Sequence, residues 1–222
     1  MGVTNLFRLD YTNQSTKLSL VSREGDTKSR LLNTAIDLVW ENSYGAVSVD
    51  DICQRAGVNK GSFYYAFKSK SDLAIAALER HWGYKRASFD QIFSPLQPPL
   101  ARIEHYCEAV LSDQLAKHAK TGKFCGCPFC SLASEIGTQD ESIRRKVEEL
   151  SERKVRYLES AIREAIATGD IAERPVHETA RTIYCFVIGI ILQAKIENSA
   201  RPFEGMKSGV LRLLGVEEAV AS

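Results

Sequence analysis

Three of the six cysteines crowd into Cys125-Gly126-Cys127-Pro128-Phe129-Cys130, the densest group of nucleophilic side chains in the chain. Proline suits the first position of a helix, where its missing N–H would have gone unpaired anyway. Cys127 is therefore expected to be a helix cap or its neighbour. A thiol there feels unpaired backbone N–H groups and the positive end of the helix dipole, with Lys123 close in sequence. All three favour the thiolate, which is the reactive form. Three chemistries are open to the cluster. Cys127 can serve as a thiol switch with Cys125, Cys130 or Cys107 as resolving partner. The three thiolates, with His118 as a fourth ligand, can bind a soft metal, although no second Cys-x-x-Cys completes a zinc site. Alternatively, Cys130 packs in a core and the other two are inert. Cys53 and Cys185 are expected to be structural.

Other catalytic chemistry has little to stand on. His81, His105, His118 and His177 form no His-Glu-x-x-His pair, and there is no Gly-rich phosphate loop or Gly-x-Ser-x-Gly elbow. His81 and His177 are expected to face solvent. No cofactor is expected, and a thiol-dependent enzyme is the only enzymatic alternative. Charge is nearly balanced, 29 lysines and arginines against 28 acids, for a net charge of +1. Any nucleic-acid surface must then be a local patch. One such patch exists: Arg55 to Lys70 carries Arg55, Lys60, Lys68 and Lys70 and no acid.

These groups must be positioned by folded elements, and the composition supplies them. With 222 residues, 44% hydrophobic and 26% charged, the chain can bury a core without disulfide staples. The longest apolar run, Ile183 to Leu192, is too short to span a bilayer, and Met1 to Asp10 has no export-signal pattern. No membrane partner is expected, and the chain is placed in the cytoplasm, where thiols stay reduced.

Residues 1–25 are polar and aperiodic and are expected to form a flexible arm that includes Lys17 and Arg23. From Asp26 the apolar period becomes helical, with Leu32, Ala35, Ile36 and Val39 at spacings of three and four and Gly45 as a stop. Ser48-Val49-Asp50-Asp51 has capping-box form and opens a short helix that ends at Ala56-Gly57-Val58. Asn59 caps a second, Lys60 to Phe67, and Ser69-Lys70-Ser71-Asp72 opens a third. Pro95, Pro98 and Pro99 break the chain, and further helices are expected at about 99–119, 127–137, 140–168, 175–198 and 203–214. No alternating run argues for a sheet, so the fold class is all-α. Two short helices around a glycine turn, flanked by longer ones, make a helix-turn-helix, whose second helix enters the DNA major groove.

The stretch from Val47 to Leu73, Val-Ser-Val-Asp-Asp-Ile-Cys-Gln-Arg-Ala-Gly-Val-Asn-Lys-Gly-Ser-Phe-Tyr-Tyr-Ala-Phe-Lys-Ser-Lys-Ser-Asp-Leu, resembles the signature of the TetR family of transcriptional regulators almost end to end. The resemblance implies an N-terminal three-helix helix-turn-helix DNA-binding domain over 26–72, then a helical effector-binding and dimerisation domain over 73–222. Ile52, Phe63 and Phe67 read as core, whereas Tyr64 and Tyr65 cannot join them, because adjacent helical residues do not share one face. By resemblance, Lys60, Gly61, Ser62 and Tyr65 face bases or the groove, and Ser48, Tyr64 and Lys70 grip phosphates, with Lys68 adding to the patch. Gly61 lets the helix approach base edges closely. Where the family often has histidine, this chain has Ala66, which can touch a thymine methyl but cannot hydrogen-bond.

The resemblance further implies a homodimer on double-stranded palindromic operator DNA, released by a small-molecule effector. Ala180, Ile183, Tyr184, Val187, Ile188, Ile191 and Leu192, with Val210, Leu211 and Leu214, are the expected pairing face or intrachain core. Trp82, Phe89, Ile103, Tyr106, Phe124, Phe129 and Tyr157 are expected as core or as effector-cavity lining. A Gly-Cys pair opens the corresponding helix in many members, and one subgroup uses that cysteine to sense oxidants or electrophiles. Cys125, Cys127 and Cys130 are accordingly the expected sensing residues of a repressor. The alternatives are a metal-responsive repressor built on the same three thiols, a thiol-dependent enzyme and an adaptor that does not bind DNA.

Overall fold

The computed structural model describes residues 23–216, and all regular structure among them is helical. The helices are α1 (Arg23–Glu41), α2 (Val49–Ala56), α3 (Lys60–Ala66), α4 (Lys70–Ile92), α5 (Pro99–Thr121), α6 (Pro128–Ile136), α7 (Glu141–Ala167), α8 (Val176–Glu197) and α9 (Met206–Leu213), with a 3-10 turn at Arg201–Phe203. The expected arm, with Lys17, lies outside the described residues as far as residue 22, and Arg23 already opens α1. The C-terminal stretch expected as one helix at 203–214 is instead the 3-10 turn followed by α9.

Local signals set the boundaries at the N-terminal end. Ser48 forms a complete capping box with Asp51, and Asn59 and Ser69 each accept a backbone N–H at the start of α3 and α4. Gly57 closes α2 at φ +64, a left-handed conformation that a side chain would strain. Leu31, Leu32, Ala35 and Leu38 of α1 pack on Ile52, Phe63, Phe67 and Leu73 to make a small core for the first helices.

A second cluster joins this unit to the rest, with Tyr44, Ala74, Leu78 and Trp82 against Phe129, Leu132, Ile143 and Leu150. The largest core is built from α5, α7, α8 and α9, around Ile103, Leu158, Ile162, Ile183, Val187 and Val210. Gly209 permits the contact of α9 with α8, since a Cβ there would lie 2.5 Å from the Phe186 ring. Arg102 is 1% exposed, and its guanidinium donates to both oxygens of Glu164 and to the Gln97 carbonyl.

Two open readings narrow toward core. Ala180, Ile183, Tyr184, Val187 and Ile191 are buried within the chain, so the side of α8 left uncovered is the one bearing Cys185, Gly189, Leu192 and Ile196. Of the aromatic residues expected as core or cavity lining, Trp82, Phe89 and Tyr157 close on one another, with Trp82–Phe89 centroids 5.3 Å apart and Phe89–Tyr157 5.4 Å. By length and composition alone α8 is long and apolar enough to cross a membrane, yet a third of it is buried against the other helices.

Candidate functional site

The helix-turn-helix presents α3 outward. Phe63 is fully buried and Phe67 nearly so, which turns the next positions away from the core. Tyr65 is 79% exposed and Tyr64 56%, the latter with its ring edge-on to Phe63 at 5.1 Å. Lys60 and Gly61 are exposed on the same short element, Lys68 is exposed just beyond its end, and Ser62 is half-buried with its N–H on the Asn59 cap at 2.7 Å. Lys60 is held by Asp50 at 2.8 Å, and that hydrogen bond and charge raise its pKa. Arg55 makes a two-pronged ion pair with Glu41, fixing α2 on the end of α1.

Two residues expected to grip phosphates have partners inside the chain. The Ser48 hydroxyl donates to Asp51 Oδ2 at 2.6 Å, and this bond holds the Asp51 carboxyl below its usual pKa. The Lys70 ammonium donates to the Tyr44 and Val47 carbonyls at 2.8 Å each and sits 4.0 Å over the Tyr44 ring. Burial lowers its pKa. In this structure Lys70 staples the α1–α2 loop rather than pointing away from the protein.

The cysteine cluster lies on the connection from α5 to α6. Gly122 ends α5 at φ +69, and Gly126 takes φ +81 just before Cys127. Asn198 at the end of α8 pins this connection, accepting from the Phe124 N–H at 3.0 Å and donating to the Gly122 carbonyl. The Lys195 stem lies across Gly126, where an added Cβ would sit 2.9 Å from its Cδ. Cys127 is the cap residue of α6 and Pro128 its first residue, the arrangement read from the sequence.

Cys127 is half-buried and its thiol is held well below the ordinary range. The Cys130 thiol one turn on is the main cause; burial opposes it, and the Lys154 ammonium reinforces it. No strict cap hydrogen bond closes on the sulfur, although the Cys130 and Phe129 N–H groups add smaller favourable contributions. Cys130 is pushed up by the neighbouring Cys127 thiol and by burial, so the two titrate as a pair. The cation is not Lys123, which is exposed, but Lys154 on α7, whose ammonium lies 4.0 Å over the Phe129 ring and 5.9 Å from that of Tyr184. Only the packing of α7 on α6 brings it there. Phe129, two positions past Cys127, was the one sequence signal for that wall.

The remaining thiols separate from this pair. Cys125 is buried, with its sulfur 3.7 Å from Thr121 Oγ1 and 3.6 Å from the Lys123 carbonyl. Cys107 lies in the main core, where burial pushes its thiol up to about 12. His118 stacks on Phe124 at 4.6 Å. Among the described residues no three His, Cys, Asp or Glu side chains are grouped so that they could hold a metal ion in this structure. Cys53 is core, whereas Cys185 is exposed. His177 is exposed and bonded to Glu159 at 2.6 Å. His81 does not face solvent: it packs 5.6 Å from Phe129, and burial beside Lys85, Lys154 and Lys117 lowers its pKa to about 3. It is therefore neutral at physiological pH.

The whole arrangement has known counterparts. Residues 31–77 match the model for bacterial regulatory proteins of the tetR family, and residues 99–210 match the tetracyclin repressor-like C-terminal domain. The chain is 29% identical over 126 residues to a helix-turn-helix transcriptional regulator of Lactococcus lactis subsp. lactis, covering 56% of this chain and 62% of that one. It is 30% identical over 169 residues to the transcriptional regulator AcuR of Cereibacter sphaeroides, covering 75% of each. The transcriptional repressor NemR of Escherichia coli is 25% identical over 193 residues, 86% of this chain and 95% of NemR. The crystal structure of NemR in its reduced form superposes with a TM-score of 0.75 over 86% of this chain and all of that one. The exposed recognition helix, the two matching domain models and these relatives identify the chain as a DNA-binding transcriptional regulator of the TetR family, and not an enzyme.

Proposed function

We propose that the protein is a cytoplasmic, homodimeric repressor that leaves a palindromic operator when an oxidant or electrophile modifies Cys127. The observation that carries this reading is the position of Cys127: the cap of α6, half-buried, paired with Cys130 and beside the Lys154 ammonium. A structural thiol packed in apolar surroundings is pushed the other way, as Cys107 is. The similarity to NemR, solved in a form described as reduced, supports the same direction.

The chemistry needs two steps. The Cys127 thiolate attacks the electrophilic oxygen of a hydroperoxide, forming an S–O bond as the O–O bond breaks and hydroxide or alkoxide leaves. The Cys130 sulfur then attacks the resulting sulfenic acid, water leaves and a disulfide forms. The two cysteines are three residues apart at a helix start, where side chains are neighbours. Among the resolving partners open from sequence, Cys130 is favoured by its place one turn from Cys127, whereas Cys107 and Cys125 are turned elsewhere.

DNA recognition falls to α3 in the unit over 26–72, through Lys60, Gly61, Ser62, Tyr64, Tyr65 and Lys68, with Ser48 and Lys70 bracing the neighbouring loop. The uncovered side of α8, with Gly189, Leu192 and Ile196 and a groove of about 370 Å³ beside Phe186 and Ile190, suits pairing of two copies in the part over 73–222. Fluorescence anisotropy with DNA flanking the protein's own gene tests the proposal. Binding that is tight, salt-sensitive, lost with hydroperoxide and restored by a dithiol is expected, and a Cys127→Ser variant should bind but no longer respond. A variant that still responds fully overturns the assignment of Cys127. Binding indifferent to oxidant in the wild type leaves a repressor controlled by a non-covalent small molecule. Absence of salt-dependent binding to any DNA selected from random sequence leaves the adaptor.

A further inference from the structure

Nine-residue α6 has Cys127 at one end and Glu135 in its last turn at the other. Glu135 reaches out of the C-terminal helices to the loop between α1 and α2: its Oε2 accepts the Tyr44 N–H at 2.7 Å, and its Oε1 accepts the Gly45 N–H. Two successive N–H groups converging on one carboxylate form an anion-binding concavity, and its bonds are charge-assisted. A glycine at 45 leaves room for this, since a Cβ there would lie 3.0 Å from Glu135 Oε1. The same loop is held from the other side by α4, whose Lys70 takes the Tyr44 and Val47 carbonyls. The loop therefore has its Tyr44 and Val47 carbonyls tied to α4 and its Tyr44 and Gly45 N–H groups tied to α6. Ser48, which caps α2, follows directly, and α2 positions α3.

We propose that Glu135 is a positioning residue that carries the state of the Cys127 site to the DNA-reading helices, its carboxylate latching the α1–α2 loop while Cys127 is unmodified and releasing it when Cys127 is modified. The inference rests on Cys127 being the sensing thiol. At 1.5 Å per residue, the eight residues from Cys127 to Glu135 span about 12 Å, short enough for α6 to move as one rod. A group added at its cap, or a disulfide across its first turn, has to be accommodated where Gly126 already lies under the Lys195 stem and Phe129 under the Lys154 ammonium. Packed elements answer such a change by shifting between discrete arrangements rather than by deforming. Hydrogen bonds fail steeply with distance, so a shift of one to two ångströms at Glu135 is enough to free both N–H groups. A second tie in this region runs through Ser71 of α4, whose hydroxyl donates to Asp140 at the start of α7 and meets the Tyr44 hydroxyl at 3.3 Å, so the Tyr44 side chain stays on α4 while the Tyr44 and Gly45 N–H groups are let go.

The test is amide hydrogen exchange at Tyr44 and Gly45 in the full-length protein, before and after alkylation with iodoacetamide, in a Cys185→Ser background that removes the exposed thiol. In alkylation the Cys127 sulfur forms the bond to carbon and iodide leaves; a Cys127→Ser protein controls for every other thiol. The expected result is that alkylation lowers protection at these two amides roughly tenfold or more, the scale of one charged hydrogen bond, and leaves the α4 amides unchanged. In Glu135→Ala both amides should exchange fast in either state. Its operator affinity should match that of the alkylated wild type and be insensitive to alkylation. Glu135→Gln, which keeps one acceptor oxygen, should fall between. Unchanged protection of Tyr44 and Gly45 on alkylation, or a Glu135→Ala protein that keeps the full response, overturns the latch. Loss of protection on alkylation together with operator binding indifferent to hydroperoxide leaves the latch standing and overturns Cys127 as the natural sensor.

Discussion

Substituting alanine for Gly126 probes the geometry that presents Cys127. The residue sits at φ +81, where a side chain costs about 1–2 kcal/mol, and its new Cβ would lie 2.9 Å from Lys195 Cδ and 3.8 Å from Ser131 Oγ. The Lys195 stem is flexible and its ammonium is bonded only to Ser131 Oγ at 3.3 Å, so moving it sacrifices about one hydrogen bond, roughly 0.5–1.5 kcal/mol. Gly122 supplies the control, because it has φ +69 and no atom within 4 Å of an added Cβ. Gly122→Ala should therefore cost about 1–2 kcal/mol and Gly126→Ala about 1.5–3.5 kcal/mol. Urea unfolding at one fixed protein concentration measures both, since association would make the midpoint depend on concentration. Only Gly126→Ala should alter the rate at which iodoacetamide modifies Cys127, because only that position sets the direction from which the chain enters α6. Equal losses in the two variants, or an unchanged alkylation rate in Gly126→Ala, would refute the claim that the glycine and the Lys195 stem define the cap.

Two further outcomes follow from the electrostatics. The depressed Cys127 pKa means that its alkylation rate should stay on a plateau through neutral pH and fall only on acidification; Lys154→Met removes a cation that favours the thiolate, so the midpoint of the rate–pH curve should move up toward 9.0, and a midpoint that stays put or falls rejects Lys154 as a contributor. The Lys60–Asp50 pair is more than half exposed on both sides, so solvent screens it and it competes only weakly with DNA. Asp50→Asn should accordingly tighten operator binding by about 1.4- to 5-fold in anisotropy titrations. It should also steepen the salt dependence by about one phosphate contact; weaker binding would show that Asp50 orients Lys60 rather than competing with DNA.

Everything governed by contacts a few residues apart was legible in the sequence. Capping needs a hydroxyl or amide next to the first free N–H groups, so Ser48, Asn59 and Ser69 announced α2, α3 and α4. Adjacent residues on one helix must diverge, so Phe63 at the core foretold Tyr64 and Tyr65 at the surface. Proline at 128 placed Cys127 at the cap of α6. What the sequence left open depended on which elements meet. Periodicity shows that a helix has an apolar stripe but not what covers it, so the stripe of α8 was left open between a pairing face and intrachain core, and His81 was assigned to solvent although α6 lays Phe129 against it. Charge partners were equally hidden: Lys123 was near in sequence, yet Lys154 on α7 supplies the cation at Cys127. Glu135, 91 residues from Tyr44 and carrying no motif, acquires its role only when α6 is packed beside the α1–α2 loop. Local sequence determines capping and helical phase because those forces act within one or two turns; the Cys127–Lys154 and Glu135–Tyr44 contacts span long loops and are decided by the packing of the whole helical assembly.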